Sequence, residues 1–342
     1  MFEVKDSDRE VFKQELEDFL PGRIFDAHVH IFDRASFRGE LDPTDYRTKF
    51  GGKFEYSDWL AVTAQIMPDH DIYANIFGSP DRQTDRDAAD RFTGSQADGE
   101  HCFGMALTSP DDSAAEIGRR IAANRLIGYK PYWNFVRDKE ANDIRIFDML
   151  PAPLLELADE RRWIITLHIS RAGRLADPVN QRDMVEACRR YPNITFIYAH
   201  IGRAYYRSNV EGFLSGLAAC PNAWVDTAMV NHEGVLEYTF RNFPRERIVF
   251  GSDAPIALLR GKSVEINNQY AYLMGENYAI GTSLHDPQSK IDFTFFYYEQ
   301  LRAIKLAARA AKLGGTEVEN IFFNNAYRLF KHIYTLNYGE NA

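Results

Sequence analysis

The chain has 342 residues, with 40 Lys and Arg against 49 Asp and Glu, a formal charge of −9 with histidines neutral. That deficit of positive charge argues against a nucleic-acid or anionic-membrane surface, which needs a basic patch to engage phosphates. Hydrophobic residues make up 45% and charged residues 26%, the balance of a soluble globular chain, and no apolar run approaches the roughly 20 residues needed to span a bilayer.

Residues 1–20 mix charges with Phe12, Leu16, Phe19 and Leu20, so they read as a short amphipathic helix and not as a signal peptide. Strand candidates follow at 24–28, 71–77, 102–107, 126–130, 163–168, 194–200, 223–227 and 247–252, each a short apolar or β-branched run. Helical patterns lie between them at 57–67, 112–124, 151–161, 178–191, 209–219 and 232–242, and two more close the chain at 293–313 and 317–329. Eight βα units in regular order predict an α/β fold, a (β/α)8 TIM barrel with an N-terminal helix and C-terminal helices, built as one domain over 1–342. Segments 32–56 and 255–292, after the first and last strands, are too long for plain connectors. At the C-terminal face of a barrel they would serve as lids or specificity loops, or as surface insertions. Cys102, Cys188 and Cys220 are widely spaced with no CxxC, which fits a reducing, cytoplasmic setting.

The chemistry-bearing residues gather at strand ends. Phe25-Asp26-Ala27-His28-Val29-His30 ends the first strand, and alternation puts His28 and His30 on one face, where two imidazoles can grip a divalent metal or hydrogen-bond within a core. The fifth strand runs into His168, the sixth into His200, and the eighth into Asp253. A barrel gathers these ends into one ring, so the five side chains surround a common centre with the donor set of zinc or a related metal.

The order DAHVHIF, LHIS, AHIGR, GSDAP and the closing NIFFNNAYRLF resembles the amidohydrolase superfamily, and within it the amidohydrolase-2 branch, which also holds non-oxidative decarboxylases and lactonases. That resemblance implies that His28, His30, His168 and Asp253 bind one divalent metal, Zn²⁺ ahead of Mn²⁺ or Fe²⁺, with Asp253 doubling as base and His200 as an acid/base beside it. Lys130, at the end of the fourth strand, bridges two metals as a carboxylated lysine in two-metal relatives. Here the one-metal pattern is closer, and Lys130 is expected to meet a substrate anion or to form a salt bridge inside the barrel. Arg171 and Arg203, in the loops after His168 and His200, are further candidates for holding a substrate carboxylate.

The expected function is hydrolysis by metal-activated water of a C–N or C–O bond, amide or lactone, in a small anionic or carbonyl-bearing substrate. Decarboxylation of a small carboxylic acid by the same residues is the alternative, and a metal-free binding barrel is a third. The partner is expected to be a small molecule, with no nucleic acid or membrane, and a homo-oligomer is compatible with the aromatic inserted loops.

Overall fold

The computed structural model describes residues 3–339. Eight strands, β1 (Arg23–Ile31), β2 (Asp71–Gly78), β3 (Cys102–Thr108), β4 (Gly128–Pro131), β5 (Ile164–Leu167), β6 (Thr195–Tyr198), β7 (Ala223–Asp226) and β8 (Ile248–Val249), pair in chain order. Every pair is parallel. The segment after β8 closes the circle on β1: Ala27 N donates to Phe250 O (2.9 Å), Asp253 N to His28 O (2.9 Å) and His30 N to Ala254 O (2.7 Å). The fold is the expected (β/α)8 barrel.

Side-chain packing completes it. Phe25, Phe103, Ile127 and Ile164 fill the barrel floor, where Phe323, Phe330 and Ile333 of the C-terminal helices plug the opening; Phe25 and Phe330 have ring centroids 5.1 Å apart. A register shift between Asp26 and Val29 re-aims the end of β1, as bulges do. Phe25 and Ala27 therefore join the floor cluster, while Val29 and Ile31 join the core between strands and helices. That leaves His28 and His30 lining the cavity at the mouth.

Several elements depart from the sequence-based expectation for physical reasons. The helix Arg86–Gln96 escapes the apolar periodicity because it buries Ala89, Asp90 and Thr93, with Asp90 paired at 3.0 Å to Arg120. The helix expected over 209–219 is reduced to the short turns Arg207–Asn209 and Ser215–Ala218, with Gly212 at φ +88° between them. Segment 255–292 is not a plain loop. It folds into a small sheet of β9 (Gly261–Ile266), β10 (Gln269–Met274) and β11 (Ser283–His285), turning at Asn267 and Asn268, both at positive φ, a turn chemistry that Asn tolerates well. The N-terminal helix Asp6–Val11 continues as a wider turn through Leu16. All three cysteines are free and buried.

One buried carboxylate staples the seam. Asp26 accepts from Ser252 N (2.8 Å), Ser252 Oγ and His28 N (3.1 Å), tying β1 to the chain that carries Asp253. Burial pushes its carboxyl up to about 7 against these donors. Asp26→Ala removes every acceptor at once and strands three donors, so a loss of about 2–4 kcal/mol in urea-unfolding free energy is expected. An unchanged unfolding midpoint would show that the seam does not depend on it.

Candidate metal centre

His28, His30, His168, His200, Lys130, Arg203 and Asp253 all line a single cavity of about 480 Å³ at the C-terminal mouth of the barrel. His28 Nε2 lies 3.3 Å and His30 Nε2 3.2 Å from Asp253 Oδ1, and His200 Nε2 lies 4.0 Å from Oδ2. One donor atom each from His28, His200 and Asp253 falls within 4.8 Å of the others. The structure thus places His200 in one cluster with His28 and Asp253, while His168 stands beside it, its ring 5.2 Å from that of His200.

The far nitrogens fix the tautomers. His28 Nδ1 donates to Asp226 Oδ2 (2.9 Å), His30 Nδ1 to Gly78 O (3.0 Å) and His200 Nδ1 to Ala228 O (2.8 Å). With each Nδ1 carrying its proton to an acceptor, each Nε2 offers a lone pair, and these Nε2 atoms face Asp253. His168 Nδ1 is buried with no partner among the described residues, a state that costs free energy unless a ligand engages the ring. The donor set fits a divalent metal. His28, His200 and Asp253 are the residues whose donor atoms lie close enough together to hold it, with His30 Nε2 3.2 Å from Asp253 Oδ1 and His168 beside His200.

Burial and charge set the protonation states. Burial pushes His30 and His200 each down to about 4 and His168 well below its usual range, so all three stay neutral near pH 7, the form a metal requires. At His28, burial and Lys130 push down, but the Asp226 and Asp253 carboxylates outweigh them and raise its pKa. Asp253 is held well below the ordinary carboxylate range: burial opposes ionisation, but His28 and His30 overcome it. Lys130 is fully buried and burial lowers its pKa to about 8; its Nζ sits 3.2 Å from His28 Nε2 and 4.5 Å above the Phe77 ring.

The sequence predicts a strand through His200, but β6 stops at Tyr198 and residues 200–203 make a left-handed turn, with φ +57°, +53°, +62° and +59°. Asp253 is also left-handed, at φ +70°. Left-handed backbone costs about 1–2 kcal/mol per L-residue, and such strain clusters at functional sites. Hydrogen bonds from His200 N to Asp226 Oδ1 (2.7 Å) and from Asp253 N to His28 O hold both positions.

Arg203 lies in the cavity wall. Its Nη1 donates to Ile169 O and Ser170 O, both at 3.1 Å, while its Nε is buried with no partner among the described residues. Arg171 corrects the expectation of a substrate contact: it is outside the residues lining the cavity, and its Nε donates to Asp177 Oδ1 at 2.9 Å, the carboxylate that caps the helix Pro178–Arg190.

Other site residues escaped sequence reading. Asp226 ends β7 after Ala223-Trp224-Val225, the pattern that flagged Asp253, and so was findable. The two long segments supply Tyr46, Arg47, Tyr270 and Tyr272 to the walls. They meet above the mouth, where Ala279 N donates to Thr44 O (2.9 Å) and Lys49 pairs with Glu276. Tyr270 stacks on Tyr205 at 4.6 Å with the Arg174 guanidinium 4.3 Å from its ring.

Residues 25–331 match the Amidohydro_2 family model, described as amidohydrolase. No curated protein matches the sequence significantly. Among solved structures, amidohydrolase 2 from Bifidobacterium longum subsp. infantis is 15% identical, with a TM-score of 0.55 over 91% of this chain and 99% of that one. 5-Carboxyvanillate decarboxylase from Sphingomonas paucimobilis is 13% identical, with a TM-score of 0.54 over 91% and 99%. A protein from Acinetobacter baumannii described as "probable 2-pyrone-4,6-dicarboxylic acid hydrolase" is 14% identical, with a TM-score of 0.53 over 90% and 98%. At such identities these likenesses show the barrel fold, which hosts many chemistries. The match over 25–331 shows more: the chain belongs to the amidohydrolase-2 family.

Proposed function

We propose that this protein is a metal-dependent hydrolase acting on a C–N or C–O bond of a small carboxylate- or carbonyl-bearing substrate, with one zinc ion favoured by the imidazole-rich donor set and Mn²⁺ or Fe²⁺ accepted by the same ligands. The observation that carries this reading is the convergence of the His28 and His30 Nε2 atoms on Asp253 Oδ1 at 3.3 and 3.2 Å. A bound divalent cation supplies Lewis acidity and lowers the pKa of a coordinated water to about 7. Asp253, kept ionised by its imidazole neighbours, is the acceptor for a proton from an attacking water. His200, neutral through burial and 4.0 Å from Asp253 Oδ2, passes that same proton from Asp253 to the leaving group, as general acid–base groups do. Lys130 and the unpaired Arg203 Nε bind and orient the substrate's carboxylate.

That same cationic pair supports a second reading. Two fixed cations beside the centre can clamp a carboxylate through loss of CO₂, with His200 or Asp253 delivering a proton to carbon, so decarboxylation competes with hydrolysis for the same residues.

Zinc-reconstituted protein assayed against lactones, amides and aromatic acids is expected to give hydrolysis products with no CO₂. Stoichiometric CO₂ release would replace the first reading by the second. Asp253→Asn is expected to lower kcat by about 10²–10⁴-fold, and activity equal to wild type would refute its role as base. Asp226→Asn keeps the shape beside His28 but weakens the acceptor, so competition with a zinc indicator is expected to show about 10–100-fold weaker metal binding. Arg203→Lys keeps the charge and loses the fork; a rise in KM of about tenfold for carboxylate substrates, with kcat less affected, is the expected split.

A further inference from the structure

Behind the wall of the metal-site cavity lies a second pocket of about 410 Å³, at the same end of the barrel, between the loops after β2, β3 and β4. The same two loops line both cavities: Pro80 and Trp133 line the first, Arg82 and Asn134 the second, and Asn134 Nδ2 donates to Pro80 O at 2.7 Å. We propose that this second pocket binds a phosphate group, either the free ion or a hydroxyl-bearing phosphate monoester.

Three guanidinium groups, from Arg82, Arg86 and Arg137, line the pocket with the hydroxyl of Ser109. Arg82 spends one N–H on Asn134 O (2.8 Å) and has no carboxylate partner among the described residues. Arg86 donates from Nη2 to Asp112 Oδ1 (2.7 Å), but its Nε is buried with no partner among the described residues, and its guanidinium lies 5.4 Å from the Phe135 ring, which fixes its place. The Asp112 carboxylate is itself divided between Arg86 and Arg120. Arg137 reaches Asp111 only at 3.5 Å, with side chains 81% and 58% exposed, an arrangement worth little and easily exchanged for a ligand. Asp138 is the one carboxylate in the lining.

Hydrogen-bond complementarity narrows the ligand. Ser109 is 2% exposed; its Oγ accepts from Asp111 N (3.3 Å), which leaves its proton to donate. Forked guanidinium donors and a hydroxyl match the oxygens of a phosphate bidentately. Asn134 Oδ1, also buried with no partner among the described residues, is an acceptor among these donors. The P–OH of the free ion or a neighbouring hydroxyl of a monoester satisfies it. A ligand here ties the loop after β3 to the two loops, after β2 and β4, that carry Ser79, Asp81, Tyr132 and Trp133 to the metal-site cavity, and it does so whichever reaction that cavity performs.

Isothermal titration of the full-length protein with inorganic phosphate and, separately, with ribose 5-phosphate tests the proposal. Wild type, the Arg82→Ala/Arg137→Ala double variant, whose replaced side chains are exposed, and Lys130→Ala as a probe of the metal-site cavity are compared. One saturable event, weakened about tenfold or more in the double variant and kept in Lys130→Ala, is expected. Tighter binding of ribose 5-phosphate assigns the monoester as ligand, and tighter binding of phosphate assigns the free ion. No saturable event with either probe, or an event that the double variant leaves intact, overturns the proposal.

Discussion

The closure of β8 onto β1 is the constraint from which the site follows. Parallel strands that pair in order bring the first and last together only if the circle is completed, and here three backbone hydrogen bonds and the buried Asp26 carboxylate complete it. Asp253 N donates to the carbonyl of His28 itself, so the seam and the site are the same few atoms. The floor below is packed with aromatic and aliphatic side chains from the C-terminal helices, which leaves the mouth as the place where polar groups can face a solvent-connected cavity.

Around that seam a few carboxylates organise the imidazoles. Asp226 receives Nδ1–H of His28 with one oxygen and the backbone N–H of His200 with the other, so a single buried group orients the His28 ring and holds the left-handed turn at His200 in place. Gln300, from the helix Phe296–Ala310, donates to the carbonyls of Thr227 and Gly251 and ties the ends of β7 and β8 together behind it. The strain stored in residues 200–203 and at Asp253 is thus balanced by hydrogen bonds that a regular strand end would not make. In a buried, low-dielectric site such fixed groups act strongly on charge. Position alone separates the protonation states in this cavity: Asp253 is held ionised by its imidazole neighbours, while burial keeps His30 and His200 neutral.

The barrel was legible because its strands are continuous apolar runs between helical periods, and the five residues at strand ends were legible because each polar side chain follows such a run. What could not be read has physical causes. The helix Arg86–Gln96 hides its buried face behind Asp90 and Thr93, since a paired carboxylate looks polar in sequence. The bulge at Ala27–His28 and the left-handed turn after Tyr198 are backbone events set by tertiary hydrogen bonds, with only Gly202 as a local hint. The cover over the mouth depends on contacts between segments more than two hundred residues apart, such as Thr44 with Ala279, which no local pattern encodes. The direction of Arg171 is set by tertiary contacts and not by its nearness in sequence to His168: its backbone is left-handed, at φ +54°, and its side chain turns to the cap at Asp177.

The central claim is that the imidazoles and Asp253 form one metal-binding centre. Elemental analysis of protein purified without added metal or chelator, alongside protein reconstituted with zinc and dialysed, measures it directly. About one equivalent per chain in the wild type, lost in His28→Ala, is the expected result. Two equivalents would make Lys130 a bridging ligand and contradict the single-ion centre; no retained metal after reconstitution would contradict a metal centre altogether.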